Sequence, residues 1–193
     1  GAIGTVAYPL AFYSGMATAG IALGNVIALG LGPLTAAILE GVIDRRRPSM
    51  SWWIASAAAL SGILLMTGAK VELGGGRPSN VALGVILATV AGLAYGAYTY
   101  VFGKLADGGH SPRAVAGGVF GAGAPVLLVV LLVTGAPLVA TAERVGLVAY
   151  LILGPMVIAY LAFTAAPASL RASTVATIAL LEPVAATALA ILM

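Results

Sequence analysis

Glu182 is the acid whose position asks most for a chemical explanation. It lies about ten residues into the apolar run Ala172–Met193, close to where a crossing helix reaches the middle of a bilayer. A carboxylate there costs a few kcal/mol or more unless it is protonated, paired or turned to a wet cavity. Proton coupling or cation binding would use such a group. A neutral Glu182 hydrogen-bonded to a neighbouring helix is the alternative, because Pro183 lacks an N–H and frees the Ala179 carbonyl. Asn25 also falls within an apolar run. Its amide can bind a polar small molecule or bridge two helices. Tyr13, Tyr95, Tyr98 and Tyr160 offer a π face for organic cations and a hydroxyl for hydrogen bonds, or else simply pack. Tyr95 and Tyr98 share a helical face at i, i+3. Tyr13 and Tyr160 are deep enough to line a cavity. Tyr100 and Tyr150 stand near the ends of apolar runs and read as an interfacial belt.

Other chemistries lack their parts. Cysteine is absent and His110 is the one histidine, so neither a thiolate site nor a metal cluster can be assembled. No nucleophile is paired with a base, which argues against an enzyme. Gly117-Gly118-Val119-Phe120-Gly121 is no nucleotide loop, because it sits in an apolar run with no preceding strand. No cofactor is expected.

Elements that could hold these residues must live in lipid. Hydrophobic residues make up 61% of the 193, with 26 glycines besides, and charged residues only 8%. Soluble domains carry about 25% charge. A polar exterior cannot be built from this composition. It excludes a soluble enzyme, a nucleic-acid binder and a disordered chain, and it implies an all-α, polytopic membrane bundle. The net charge of +3 does not point to nucleic acid, since the basic residues sit in short gaps between apolar runs.

A span needs about 20 residues. Seven fit: Ala2–Ala17, Gly20–Leu39, Trp52–Gly68, Asn80–Gly103, Ala114–Thr134, Val145–Thr164 and Ala172–Met193. The first two are divided by a tight turn at Ala17–Gly20. Ser111 is placed to cap span five, with Pro112 at its first helical position. Ser51 is placed to cap span three, with Trp52 and Trp53 at the interface. Gly74–Pro78 is a loop. Gly20/Gly24, Gly92/Gly96 and Gly117/Gly121 are small-residue pairs suited to close helix approach. Pro33, Pro125, Pro155 and Pro183 mark kinks or bends. Glu40 and Asp44 read as interfacial acids beside Arg45–Arg47. Alternating loops give six basic residues to one side (Arg45, Arg46, Arg47, Lys104, Arg113, Arg171) and three to the other. The positive-inside rule makes the Arg45–Arg47 side cytoplasmic.

The chain also repeats itself. A shift of 150 positions lays Ala22 on Ala172, Leu31 on Leu181, Pro33 on Pro183, Ala36 on Ala186 and Leu39 on Leu189. Equivalent spans are then five apart, so the two units face oppositely, as in alternating-access carriers. Three stretches carry a resemblance. Ala179–Ala186, with its Leu181-Glu182-Pro183-Val184, resembles the LEPV signature of EamA-type members of the drug/metabolite transporter superfamily. Gly20–Leu39 followed by Asp44–Ser49 is similar to that signature's first-repeat counterpart, and Leu83–Lys104 to the helix opening the second repeat.

The resemblance implies inverted five-helix repeats, of which this chain would hold about the third to the ninth of ten helices. Residues 1–68 would close the first repeat, 69–79 would be a loop, and 80–193 would open the second. It implies a secondary transporter in the cytoplasmic membrane of a bacterium or archaeon, exporting a small metabolite, amino acid or amphipathic compound, with a possible coupling proton. Glu182, Asn25, Tyr13, Tyr95, Tyr98 and Tyr160 would line the pathway, and Pro33 and Pro183 would kink it. A passive channel and a structural subunit are the alternatives. A chain cut in this way is not expected to transport on its own.

Overall fold

A computed structural model describes residues 1–71, 80–159 and 170–182. Every described element is helical. They run α1 (Ala2–Ala19), α2 (Ile21–Ile43), α3 (Met50–Val71), α4 (Val81–Asp107), α5 (Pro112–Thr134), a 3-10 turn (Ala136–Val139), α6 (Ala142–Leu151) continuing into a π-helix (Ile152–Ile158), and α7 (Ala172–Ala179). A helix therefore begins at each of the seven expected places. Among the described residues, α2, α4 and α5 are long and apolar enough to cross a membrane.

The boundaries follow local chemistry. Gly20 separates α1 from α2 at φ +93, a left-handed conformation that glycine alone adopts without a Cβ penalty. Asn80 caps α4 by accepting the Leu83 N–H at 3.0 Å. Ser111 caps α5 through the Ala114 N–H at 3.3 Å, with Pro112 opening the helix. The cap of α3 is not Ser51. Ser49 accepts the Trp52 N–H at 3.2 Å instead, so the helix starts before the expected residue. Span six begins earlier than expected, and Pro155 lies within its π-helix. A proline withholds one ladder N–H, and the widened turn accommodates that loss.

α4 is the axis of the bundle. It runs antiparallel to α1, with Gly84 against Ala19, Gly15 against Ala88 and Gly4 against Tyr98. It runs parallel to α2, with Gly92 against Ala28 and Leu31, and Gly96 against Gly32 and Thr35. Small residues set these separations. Ala28, Ala36, Ala88 and Ala91 are fully buried, which is how helices approach closely when lipid removes the hydrophobic drive between them. The expected pair Gly117/Gly121 plays no such part. A Cβ on either would meet nothing within 4 Å, whereas Gly123 of α5 faces Val6 and Thr5 of α1. Aliphatic side chains cover the outside, Ile3, Ile21 and Val133 among them, the reverse of a soluble exterior.

Candidate functional site

Two features distinguish the interior, one aromatic and one polar. The aromatic one is a ladder of rings. Tyr13 stands edge-on to Phe12 at 5.3 Å, Phe12 stacks on Tyr8 at 5.3 Å, and Tyr8 meets Tyr95 at 5.4 Å. Tyr95 then meets Tyr98 at 5.4 Å, Tyr98 meets Phe102 at 5.4 Å, and Phe102 meets Phe120 at 5.7 Å. The inner rungs belong to a core that includes Val115 and Val119 of α5 and Ala176 of α7. Ring pairs at these separations are favoured edge-to-face or offset.

The polar feature gathers at the end where α2 and α4 finish and α7 begins. Glu40 of α2 accepts the Ser173 N–H at 2.9 Å and the Ser173 hydroxyl at 2.6 Å. Further along α7, the Thr177 hydroxyl lies 3.1 Å from that of Ser56 in α3. Asp44, just past α2, takes the Lys104 ammonium at 2.6 Å and the Tyr100 hydroxyl at 3.1 Å. The hydrogen bond from Lys104 is the largest influence on Asp44 and holds its carboxyl below the usual carboxylate value, against an opposing desolvation effect. Arg171 donates to the Arg47 carbonyl at 3.2 Å. An open cleft of about 200 Å³ lies over this end, its lining including Glu40, Asp44, Arg46, Lys104, Asp107 and Arg171.

The pattern of the EamA-like transporter family matches residues 82–193, more than half of the chain. The chain belongs to the EamA-like transporter family. It is also 32% identical over 187 residues to the uncharacterized transporter YwfM of Bacillus subtilis (strain 168). That alignment takes in 95% of this chain and 60% of YwfM, so the chain spans about three fifths of that relative's length. No solved structure matches. With the described helices, family membership makes this an integral, all-α membrane protein of the drug/metabolite transporter type.

The structure brings together some of the expected EamA pathway residues and separates others. Tyr95 and Tyr98 are neighbours, as their spacing predicts, but both are buried within the ring ladder. Tyr13 is not enclosed. Its residue is 62% exposed, at the ladder's outer end, because it follows Phe12 and points off the face that meets α4. Asn25 is half-buried on α2. Glu182 is exposed and follows a break. α7 stops at Ala179, and the N–H groups of Leu180 and Leu181 turn back to Thr177 and Ile178. The expected continuous helix is interrupted there. Pro183 has no N–H to give the Ala179 carbonyl, so a regular helical ladder cannot be completed across these residues. Pro33 lies inside an uninterrupted, buried stretch of α2. Tyr160 and Pro183 lie outside the described residues.

Three expectations about the acids and Tyr100 are corrected. Glu40 is not an interfacial acid beside Arg45–Arg47 but is 4% exposed, drawn inward by the donors of Ser173. Asp44 pairs with Lys104 of α4 instead of anchoring with the arginines that follow it. Tyr100 is buried because its hydroxyl reaches Asp44, so it belongs to no belt. One signal in the sequence pointed this way. Ser173 and Thr177 stand four apart in an apolar helix, and polar side chains inside a membrane normally face another helix.

Proposed function

We propose that this EamA family member is a secondary transporter. It moves a small metabolite, amino acid or amphipathic compound across the cytoplasmic membrane by alternating access, in the export direction. Membership of the transporter family, through residues 82–193, carries this reading. The shift of 150 positions supports two oppositely facing units. α2 starts at Ile21 and α7 at Ala172, close to that offset. The excess of Lys and Arg on one side supports a cytoplasmic Arg45–Arg47 end.

The pathway residues in this reading are Glu182, Asn25, Tyr13, Tyr95, Tyr98 and Tyr160. Glu182 follows an interrupted helix, and interrupted helices are where carriers bind substrates and coupling ions. The tyrosines supply ring faces for an amphipathic or cationic solute. The full-length protein in proteoliposomes, tested against amino acids and amphipathic cations, is expected to give saturable flux with counterflow. Flux without saturation or counterflow would identify a passive channel. Flux unaffected by substitution at all six positions would remove them from the pathway. A Glu182→Gln variant with unchanged pH dependence would remove proton coupling from Glu182.

A further inference from the structure

α7 begins without a cap of its own. Arg171 occupies the N-cap position and makes no side-chain cap bond. The first N–H groups of a helix need partners from elsewhere, and here one comes from another helix. The carboxylate of Glu40 takes both the N–H and the hydroxyl of Ser173. Both residues are buried, at 4% and 1% exposed. A negative group at a helix start is further favoured by the aligned peptide dipoles. This cap is made only while the end of α2 and the start of α7 lie together.

The neighbouring contacts are of other kinds. Ala172 meets Ala36 and Tyr100 through apolar packing. The Arg171 bond to the Arg47 carbonyl is exposed. The Lys104–Asp44 pair joins α4 to the end of α2 and leaves α7 out. Glu40–Ser173 is thus a buried, charge-assisted contact whose two partners both lose hydrogen bonds if α7 moves away. Such bonds are stronger than neutral ones, and a buried group left unpaired is costly.

We propose that Glu40 and Ser173 form a latch that holds the Arg45–Arg47 end of the bundle shut, and that its release lets α7 part from α2 and opens that end. The latch rests on the alternating-access reading of this transporter. In the latched arrangement Ala36, one turn before Glu40 on the same face of α2, is fully buried. Release uncovers it.

Cysteine is absent from the 193 residues, so Ala36→Cys makes a reporter in a full-length protein freed of any others. Its labelling by a membrane-impermeant maleimide, applied from the Arg45–Arg47 side in vesicles, reads the opening. Glu40→Ala is expected to speed labelling about tenfold. Glu40→Gln keeps an acceptor for the Ser173 N–H and a donor for its hydroxyl, and is expected to restore most of the protection. Lys104→Met breaks the adjacent exposed pair without touching α7 and is expected to change nothing. Ser173→Ala keeps the backbone N–H, and is expected to give a smaller rise even where Glu40→Ala does not assemble. Unchanged labelling in both Glu40→Ala and Ser173→Ala overturns the latch. So does an equal rise in Lys104→Met, which would mean general loosening. The readout needs no substrate, so a failed latch leaves the transport reading standing, and absent flux leaves the latch measurable.

Discussion

Ser56 of α3 and Thr177 of α7 hold their hydroxyls 3.1 Å apart inside the bundle, while Thr177 also donates to the Ser173 carbonyl at 2.9 Å. The Thr177 proton is used within its own helix, so Ser56 is the donor across the gap. One bond thereby ties α3 to α7. Hydrogen bonds between helices in a membrane contribute about 0.6 kcal/mol on average and at most about 1.7. A double-mutant cycle with Ser56→Ala and Thr177→Val is expected to give a coupling in that range, measured by unfolding of the full-length protein in detergent. Strict additivity would show that the two hydroxyls do not interact.

The α2–α4 contact leads to a second prediction. A Cβ on Gly92 would stand 2.6 Å from the Leu31 Cβ and 2.8 Å from the Ala28 carbonyl oxygen. One on Gly96 would stand 2.5 Å from the Thr35 Cβ. These neighbours are backbone or Cβ atoms, which side-chain rotation cannot move aside. Gly96→Val is expected to destabilise by at least the roughly 1–3 kcal/mol typical of overpacking, seen as a lower melting temperature in detergent. Gly121→Ala, with open space around it, is expected to leave that temperature unchanged.

Those two glycine pairs mark how far the sequence could be read. Length and hydropathy located the helices because lipid leaves an apolar chain little else to form. Caps such as Ser111 and the Gly20 turn were legible for the same local reason. Which face each helix buries was not. Gly92/Gly96 and Gly117/Gly121 have identical spacing, yet a Cβ on either of the first pair would meet α2, whereas one on either of the second would meet nothing within 4 Å. The inward position of Glu40 has no signal in its own neighbourhood, because its partner Ser173 lies 133 positions away. The same holds for Tyr100 and Asp44. Their partners lie on different helices, and short-range charge pattern favoured the adjacent arginines.

The Asp44–Lys104 pair predicts a pH and salt dependence. Its lowered carboxyl value means that its contribution is present above the ordinary value of 3.8 and is lost as the pH falls through the depressed one. Lys104 is 46% exposed, so solvent screening keeps the contribution of the pair small. Asp44→Asn is expected to lower stability slightly at neutral pH, and less in high salt. Parent and variant should converge only in acid, below the ordinary value. A gap that closed near neutral pH would show that another group governs this end.

The ring ladder separates packing from solute contact. Tyr98 is 3% exposed and touches Tyr8, Tyr95 and Phe102, whereas Tyr13 at the outer end is 62% exposed. Tyr98→Ala removes a ring from a filled core and is expected to cost about 3–5 kcal/mol. Lost flux in that variant would then report folding as much as transport. Tyr98→Phe keeps the ring and its neighbours, and Tyr13→Ala removes a side chain that only Phe12 touches among the described rings. Tyr13→Ala is expected to stay within about 0.5 kcal/mol of the parent. Both variants are therefore the ones to assay in proteoliposomes alongside melting in detergent. A changed KM at unchanged melting temperature places the ring on the solute pathway. Parental kinetics in both would take the Tyr98 hydroxyl and the Tyr13 side chain off the solute pathway, because a solute contact cannot be removed without altering either binding or turnover.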